Sequence, residues 1–358
     1  MDLSRKLSLL KGFPLNPFAG STRPPPEQNI TVSRLIVYPI KSCGGVDLDK
    51  ASITREGFEF DRNWMIVDLE KNKQLSARDS RGIKLILVKV AIKEDPNAPH
   101  GGTLDVAFPA DSNLPSLSIP LRPSETETKD WEVVEGFDIF GSVLHGLVVP
   151  PQGPNAPDPS AIFSAYTHHS VKLVMRPHSH SRPIDCFDIS PSDLKYPGGP
   201  CSSFADISPF MLASTASLFD AQHRIEDART AGKIEWTGDV KSNVTMDRWR
   251  PNWVVEGVET PFGEDDWLEG QVGESEHVFI FPHRTPRCMF PNVDPVTGIR
   301  DPHVPHKVMM AYRRVDEWKG AKNKYCFGVY GIPVGTEGVI CVGDRIKITK
   351  YRSHGVVN

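Results

Sequence analysis

Apolar and polar positions along this chain fall into short β-type runs rather than long helical stripes. The segment Val32-Ser33-Arg34-Leu35-Ile36-Val37-Tyr38-Pro39 is rich in branched and aromatic residues, and Trp64-Met65-Ile66-Val67 and the run from Ile83 to Val90 predict further strands. Polar turns at Glu70-Lys71-Asn72-Lys73 and Asp95-Pro96-Asn97 separate such runs. Trp131-Glu132-Val133-Val134 and Leu147-Val148-Val149 continue the pattern to about residue 150, where Pro150 to Pro159 reads as an exposed connection. A short helix over Ala161 to His168 and a strand over Val171 to Met175 follow, then a proline-rich polar loop from Arg176 to Pro200. The stretch from Ser208 to Ala221 favours a helix, with Ser208 as N-cap and Pro209 in the first position, so that its amides point at whatever sits above. Strands return at Val254-Val255, from His277 to Phe281 and from Gly338 to Ile348, with no internal repeat and no heptad pattern.

These elements predict an α+β protein that is mainly β. With 358 residues, 39% of them hydrophobic, the chain is long enough for two domains, and its 32 prolines and 28 glycines suit turns around short strands better than a helical bundle. Residues 1–30, which include Ser21-Thr22-Arg23-Pro24-Pro25-Pro26, read as a flexible tail; 31–160 read as a first β domain and 161–358 as a second. A net charge of -4 argues against a general nucleic-acid binder, though a local basic pocket remains compatible with it. No window of 18 apolar residues exists and the first residues lack a secretory pattern, so a soluble cytoplasmic protein is expected; residues 1–12 also admit a short amphipathic helix on a membrane surface. Six cysteines without a C-x-x-C pair suit a reducing compartment, which leaves the sequons at Asn29 and Asn243 without weight.

The most suggestive chemistry is His283-Arg284-Thr285-Pro286-Arg287-Cys288. Cations beside a thiol favour the thiolate, so Cys288 is a candidate nucleophile, redox group or soft-metal ligand; the plain alternative is a buried free cysteine next to surface arginines. A second constellation, Tyr38-Pro39-Ile40-Lys41-Ser42 with Asp61-Arg62-Asn63-Trp64, offers cations and a hydroxyl suited to phosphate oxygens, as does Arg250-Pro251-Asn252, although strand ends carry such residues for solvation alone. Histidines at 168–169, 178, 180, 303 and 306 lack partners of a convincing zinc set, and the glycines from 331 to 338 have neither dinucleotide nor Walker spacing.

Taken in order, Tyr38-Pro39-Ile40-Lys41-Ser42-Cys43, Phe60-Asp61-Arg62-Asn63-Trp64, Phe204-Ala205-Asp206-Ile207-Ser208-Pro209-Phe210, Arg250-Pro251-Asn252, Arg287-Cys288, Val293-Asp294-Pro295-Val296-Thr297-Gly298 and Phe327-Gly328-Val329-Tyr330 resemble the mitochondrial amidoxime-reducing component family over roughly residues 31–349. The resemblance implies an N-terminal MOSC β-barrel domain over 31–160 and a MOSC-domain β-barrel with flanking helices over 161–358. It implies a molybdenum-cofactor (Mo-molybdopterin) oxidoreductase that reduces N-hydroxylated compounds such as amidoximes, with Cys288 as molybdenum ligand. By the same carry-over Lys41, Ser42, Arg62, Arg250, Asn252 and Arg287 bind the pterin and its phosphate, Ser208 and Tyr330 complete the pocket, and the helix expected at Ser208 adds its positive end. Ile207 and Pro286 depart from the family pattern, where polar residues are expected, and the loop from 176 to 203 and the region from 226 to 247 also differ. With no flavin or nicotinamide motif, electrons come from a partner, in the eukaryotic relatives a cytochrome b5 with its reductase. Some of those relatives sit on the mitochondrial outer membrane through an apolar anchor not visible in this sequence. The rival reading is a cofactor or sulfur carrier related to the C-terminal part of molybdenum cofactor sulfurases; a cofactor-free scaffold is a third.

Overall fold

The computed structural model describes residues 29–352, apart from 179–180, 185–186, 188, 190, 317–320 and 322 and the side chain of residue 191. The tail over 1–28, Cys186 and His180 therefore lie outside the described residues. The first strand, β1 (Ile30–Val37), buries Ile30, Val32, Leu35 and Val37. The chain then builds a small closed barrel from β2 (Trp64–Asp68), β3 (Lys73–Gln74), β4 (Val133–Ile139), β5 (Ser142–Val148) and β6 (Val171–Met175), in the order β4-β5-β6-β2-β3 with β3 paired back onto β4. Its core is Met65, Val67, Phe137, Ile139, Leu144, Val148 and Val174. Phe204, from beyond this barrel in sequence, packs into the same core, 6.1 Å from the Phe137 ring.

A larger barrel follows, made of β7 (Phe210–Ser214), β8 (Trp253–Glu256), β9 (Trp267–Val272), β10 (His277–Ile280), β12 (Cys326–Pro333), β13 (Arg345–Tyr351) and the early strand β1. The circuit runs β7-β8-β1-β13-β9-β10-β12 and closes because β12 also pairs with β7; the short β11 (Arg284–Pro286) adds to β12 at its edge. Closure removes sheet edges that would otherwise invite pairing with another chain. The interior is aromatic: Phe58 and Phe210 centroids are 4.6 Å apart, as are those of Trp253 and Phe279, in edge-to-face contact. The chain thus interleaves the two bodies. The position 160/161 falls within helix α1 (Pro159–Thr167), while β6 of the small barrel lies after it and β1 of the large barrel before it. Helix α1 starts on the Asp158 side chain, which accepts from Ser160 N, and ends at His168 in the left-handed region, close to the expected bounds.

Three local expectations are corrected. Ile83–Leu87 is a 3-10 turn rather than a strand, which lets Leu85 and Ile86 be buried together; the strand begins only at Lys89. The helix expected at Ser208 is displaced: Phe210–Ser214 is β7, buried at every position, and helix α2 (Thr215–Thr230) begins after Ser214, whose side chain caps Ser217 N. A wholly apolar run serves strand and helix equally, and here barrel closure decides. The amino end of α2 is occupied by Glu264, a buried carboxylate that accepts from Ser214 N at 3.2 Å, Ser214 Oγ at 2.9 Å and Ser217 Oγ at 2.7 Å. The positive end of this helix is thus spent inside the protein. The run from Gly338 to Ile348 is likewise broken, into Val339–Cys341 and β13.

β12 approaches β7 closely because of Gly328, which has φ 73° and whose missing Cβ would lie 2.4 Å from the Leu212 carbonyl oxygen. Gly328→Ala is expected to lose about 2 kcal/mol of stability, read as a lower urea midpoint, because the backbone must both strain and separate. An unchanged midpoint would mean that the strands separate freely there. Among the described residues no helix is long and apolar enough to cross a membrane.

Candidate cofactor cleft

Between the two barrels opens a polar cleft with a cavity volume of about 160 Å3, smaller than the roughly 300–1,000 Å3 usual for small-molecule sites. Lys41, Ser42, Arg62, Ser208, Arg250, Asn252, Arg287, Cys288 and Tyr330 all line it, so residues spread over most of the sequence come together. The elements explain the convergence. Lys41 and Ser42 follow β1, Arg62 precedes β2, Ser208 precedes β7, Arg250 and Asn252 precede β8, Arg287 and Cys288 follow β11, and Tyr330 lies on β12. Ser42, Arg62 and Arg250 have φ of 73°, 51° and 56°, a conformation that costs such residues on the order of 1–3 kcal/mol each and that clusters where function requires it.

Charge in the cleft is one-sided. Among the described residues, Lys41, Arg62, Arg78, Arg250, Arg287 and Lys324 line it against one carboxylate, Asp206. Arg62 donates to Asp61 Oδ2 at 2.5 Å and to Asn252 Oδ1 at 3.1 Å. Its guanidinium carbon and that of Arg250 lie 4.5 and 3.9 Å from the centroid of the Tyr38 ring. Arg250 has no carboxylate partner among the described residues, and burial pushes its guanidinium down to about 10, opposed by Tyr38 and reinforced by Arg62. Asn252 spends its amide internally: Oδ1 also accepts from Met211 N at 3.3 Å, and Nδ2 donates to Ile36 O at 3.2 Å. It braces Arg62 against β1 and β7. Ser42 Oγ accepts from Ala77 N at 3.3 Å, Ser208 Oγ donates to Gly331 O at 2.9 Å, and the Tyr330 ring lies 5.6 Å from that of Phe187 in the 176–203 loop.

Lys41 donates to Phe204 O at 2.6 Å and to Asp206 Oδ1 at 2.5 Å, and burial pulls its ammonium down to about 8 against the opposing charge of Asp206. Arg78 Nη2 reaches the same Oδ1 at 3.4 Å. Burial opposes the ionisation of Asp206, but Lys41 and Arg78 hold its carboxyl well below the usual carboxylate range. Walled by protein, it still has 48% of its side chain open to the cleft.

Cys288 is half-buried, with its sulfur accepting from Phe290 N at 3.4 Å. The neighbouring cations are arranged differently from the sequence expectation. Arg284 pairs with Asp265 at 3.1 Å and Asp266 at 3.7 Å and does not line the cleft, because the extended β11 sends it to the other side. Arg287 donates to the Trp249 carbonyl at 2.5 Å. Arg78, stacked 4.6 Å from the Phe140 centroid, is a cation that lines the cleft with Cys288. Sequence reasoning missed Arg78, Ser76, Phe140 and Lys324; Ser76-Ala77-Arg78 carries no local sign of a site, since the small-barrel fold alone brings it to Cys288.

The donor set suits an anionic group with a soft centre. Arg250, Arg287 and Lys324 have no carboxylate partner among the described residues, and Thr285 Oγ1 and Arg287 Nε are buried without a hydrogen-bond partner. A polar anion in the cleft would satisfy such groups, and one free thiol stands among them.

Residues 29–138 match the MOSC N-terminal beta barrel domain, and residues 201–347 match the MOSC domain. The chain is therefore a MOSC-domain protein carrying both parts. Among curated proteins it is similar to mitochondrial amidoxime-reducing component 1 of Mus musculus, 28% identical over 331 residues that cover 89% of this chain and 82% of the relative. The Homo sapiens component 1 is 27% identical with the same coverage, and mitochondrial amidoxime reducing component 2 of Bos taurus is 29% identical over 325 residues, 88% of this chain and 82% of its own.

Proposed function

We propose that this protein is a cytoplasmic molybdenum-cofactor reductase of N-hydroxylated compounds such as amidoximes, with Cys288 as the metal ligand and a cytochrome b5 with its reductase as electron donor. The observation that carries the reading is a free thiol in a cleft where, among the described residues, six cations face one carboxylate. The names of the relatives support the substrate class. In this reading Arg250 and Lys324 would neutralise the phosphate of the pterin together with Arg62, which Asn252 holds, and Thr285 Oγ1 and Arg287 Nε would bond its polar edge. The cofactor, when bound, would supply two electrons to the N–O bond and take up its oxygen. Phe140, Ile207, Pro286 and Phe290 shape an apolar rim; where relatives are expected to have polar groups, Ile207 and Pro286 favour substrates with a hydrophobic body.

The test is elemental and pterin analysis of protein made in a cofactor-competent host, followed by reduction of benzamidoxime with a reconstituted cytochrome b5 system. Near-stoichiometric molybdenum and pterin with turnover is the expected result. Metal and pterin without turnover on any N–O compound would favour the carrier reading, and absence of both would remove the cofactor from the account.

A further inference from the structure

We propose that Asp206 is a specificity-determining residue: its free carboxylate oxygen accepts the amino group of an amidoxime or N-hydroxyguanidine and selects these over N–O compounds that lack an adjacent N–H. This rests on the reductase reading above. Among the described residues, Asp206 is the one carboxylate lining the cleft that holds Cys288. Lys41 and Arg78 both bond Oδ1, while Oδ2 accepts from no described residue and the side chain is half open to the cleft. The group is also held rigidly. Arg182, itself buried, donates to the carbonyls of Ala205 at 2.6 Å and Asp206 at 3.0 Å, Lys41 takes that of Phe204, and the Phe204 ring is packed in the small-barrel core. A residue whose backbone is tied at three successive carbonyls and whose side chain is tied at one oxygen presents the other oxygen at a fixed place.

The chemistry gives that oxygen a task. In an amidoxime one carbon bears both =N–OH and NH2. Two electrons from the external electron-transfer partner and two protons break the N–O bond to give the amidine and water, and the amidine then takes a further proton. Positive charge grows on the NH2-bearing unit along this path, so a carboxylate accepting from that NH2 binds more strongly as the reaction proceeds. Pyridine N-oxide, with no N–H, gains nothing from Asp206.

The test compares wild type and Asp206→Asn on benzamidoxime and pyridine N-oxide, with molybdenum and pterin measured in both. The ratio of kcat/KM for benzamidoxime over pyridine N-oxide is expected to fall about tenfold or more, the loss of a hydrogen bond to a charged group. Calorimetric titration with the product benzamidine supplies a readout that needs no turnover and applies whatever the metal content; its Kd is expected to rise by about the same factor. An unchanged ratio, or an unchanged benzamidine Kd, overturns the assignment while leaving the reductase reading intact. A wild type that reduces neither compound overturns both.

Discussion

Replacing Cys288 with alanine is expected to leave the fold intact and to lower bound molybdenum at least about tenfold, since even groups supporting a metal ligand cost 10–100-fold in affinity when lost. Benzamidoxime reduction should fall with the metal. The substitution removes few packing contacts, because Cys288 is half-buried and its one described hydrogen bond is a weak 3.4 Å contact from Phe290 N. Thermal unfolding should accordingly stay close to wild type, separating loss of a ligand from loss of structure. Serine is the sharper probe: it keeps the size of the side chain but offers a hard oxygen where a soft sulfur stood, so pterin held by the cationic wall should be retained better than metal. Full metal content in both variants would mean that the thiol is not a ligand.

Asp265→Ala is expected to lose about 3–5 kcal/mol, the usual cost of removing one partner from a buried ion pair. Asp265 Oδ2 is 2.7 Å from Arg313 Nη2 and 3.1 Å from Arg284 Nε, and the exposed side-chain fractions are 9%, 7% and 22%. Alanine leaves two guanidinium groups facing each other with little water to screen them. At roughly 2–4 °C per kcal/mol for a protein of this size class, the melting temperature should drop by about 10 °C. Pairing Asp265→Ala with Arg313→Met should restore part of the loss by removing one stranded charge, which distinguishes electrostatics from simple loss of volume. A drop no larger than that of an exposed aspartate would show that the cluster is well solvated.

Much of the architecture can be read directly from residue patterns. The strands β1, β2, β6, β8 and β10 lie where branched and aromatic residues cluster, and helix α1 begins at an Asp-Pro pair that states its own start. What resisted reading has a physical cause in each case. Phe210–Ser214 is apolar on both faces, so no periodicity distinguishes strand from helix until the barrel closes around it. β12 passes through Gly328 and ends at Pro333, which disguise a fully buried strand. The candidate site divides similarly: Lys41, Arg62 and Arg250 sit at strand mouths where the ordered motifs point, whereas Arg78 and Phe140 enter from a loop and a hairpin of the small barrel. Only the packing of one barrel on the other makes them neighbours of Cys288. Arg284 shows the converse error, since adjacency in sequence to Cys288 suggested a role that strand alternation denies it.

The early strand β1 has a consequence for how the protein is made. One partner, Val46–Leu48, is close in sequence, but β8 and β13 lie more than 200 and 300 residues downstream. Synthesis at about 5–20 residues per second leaves β1 without these two barrel neighbours for tens of seconds, while the small barrel can already close. The cleft, walled by both bodies, therefore comes into being only after residue 351 has left the ribosome. Any cofactor taken up in the cleft would therefore enter only once β13 has joined the large barrel, and the nascent chain's exposed β1 edge is the point at which a holding chaperone has the most to protect.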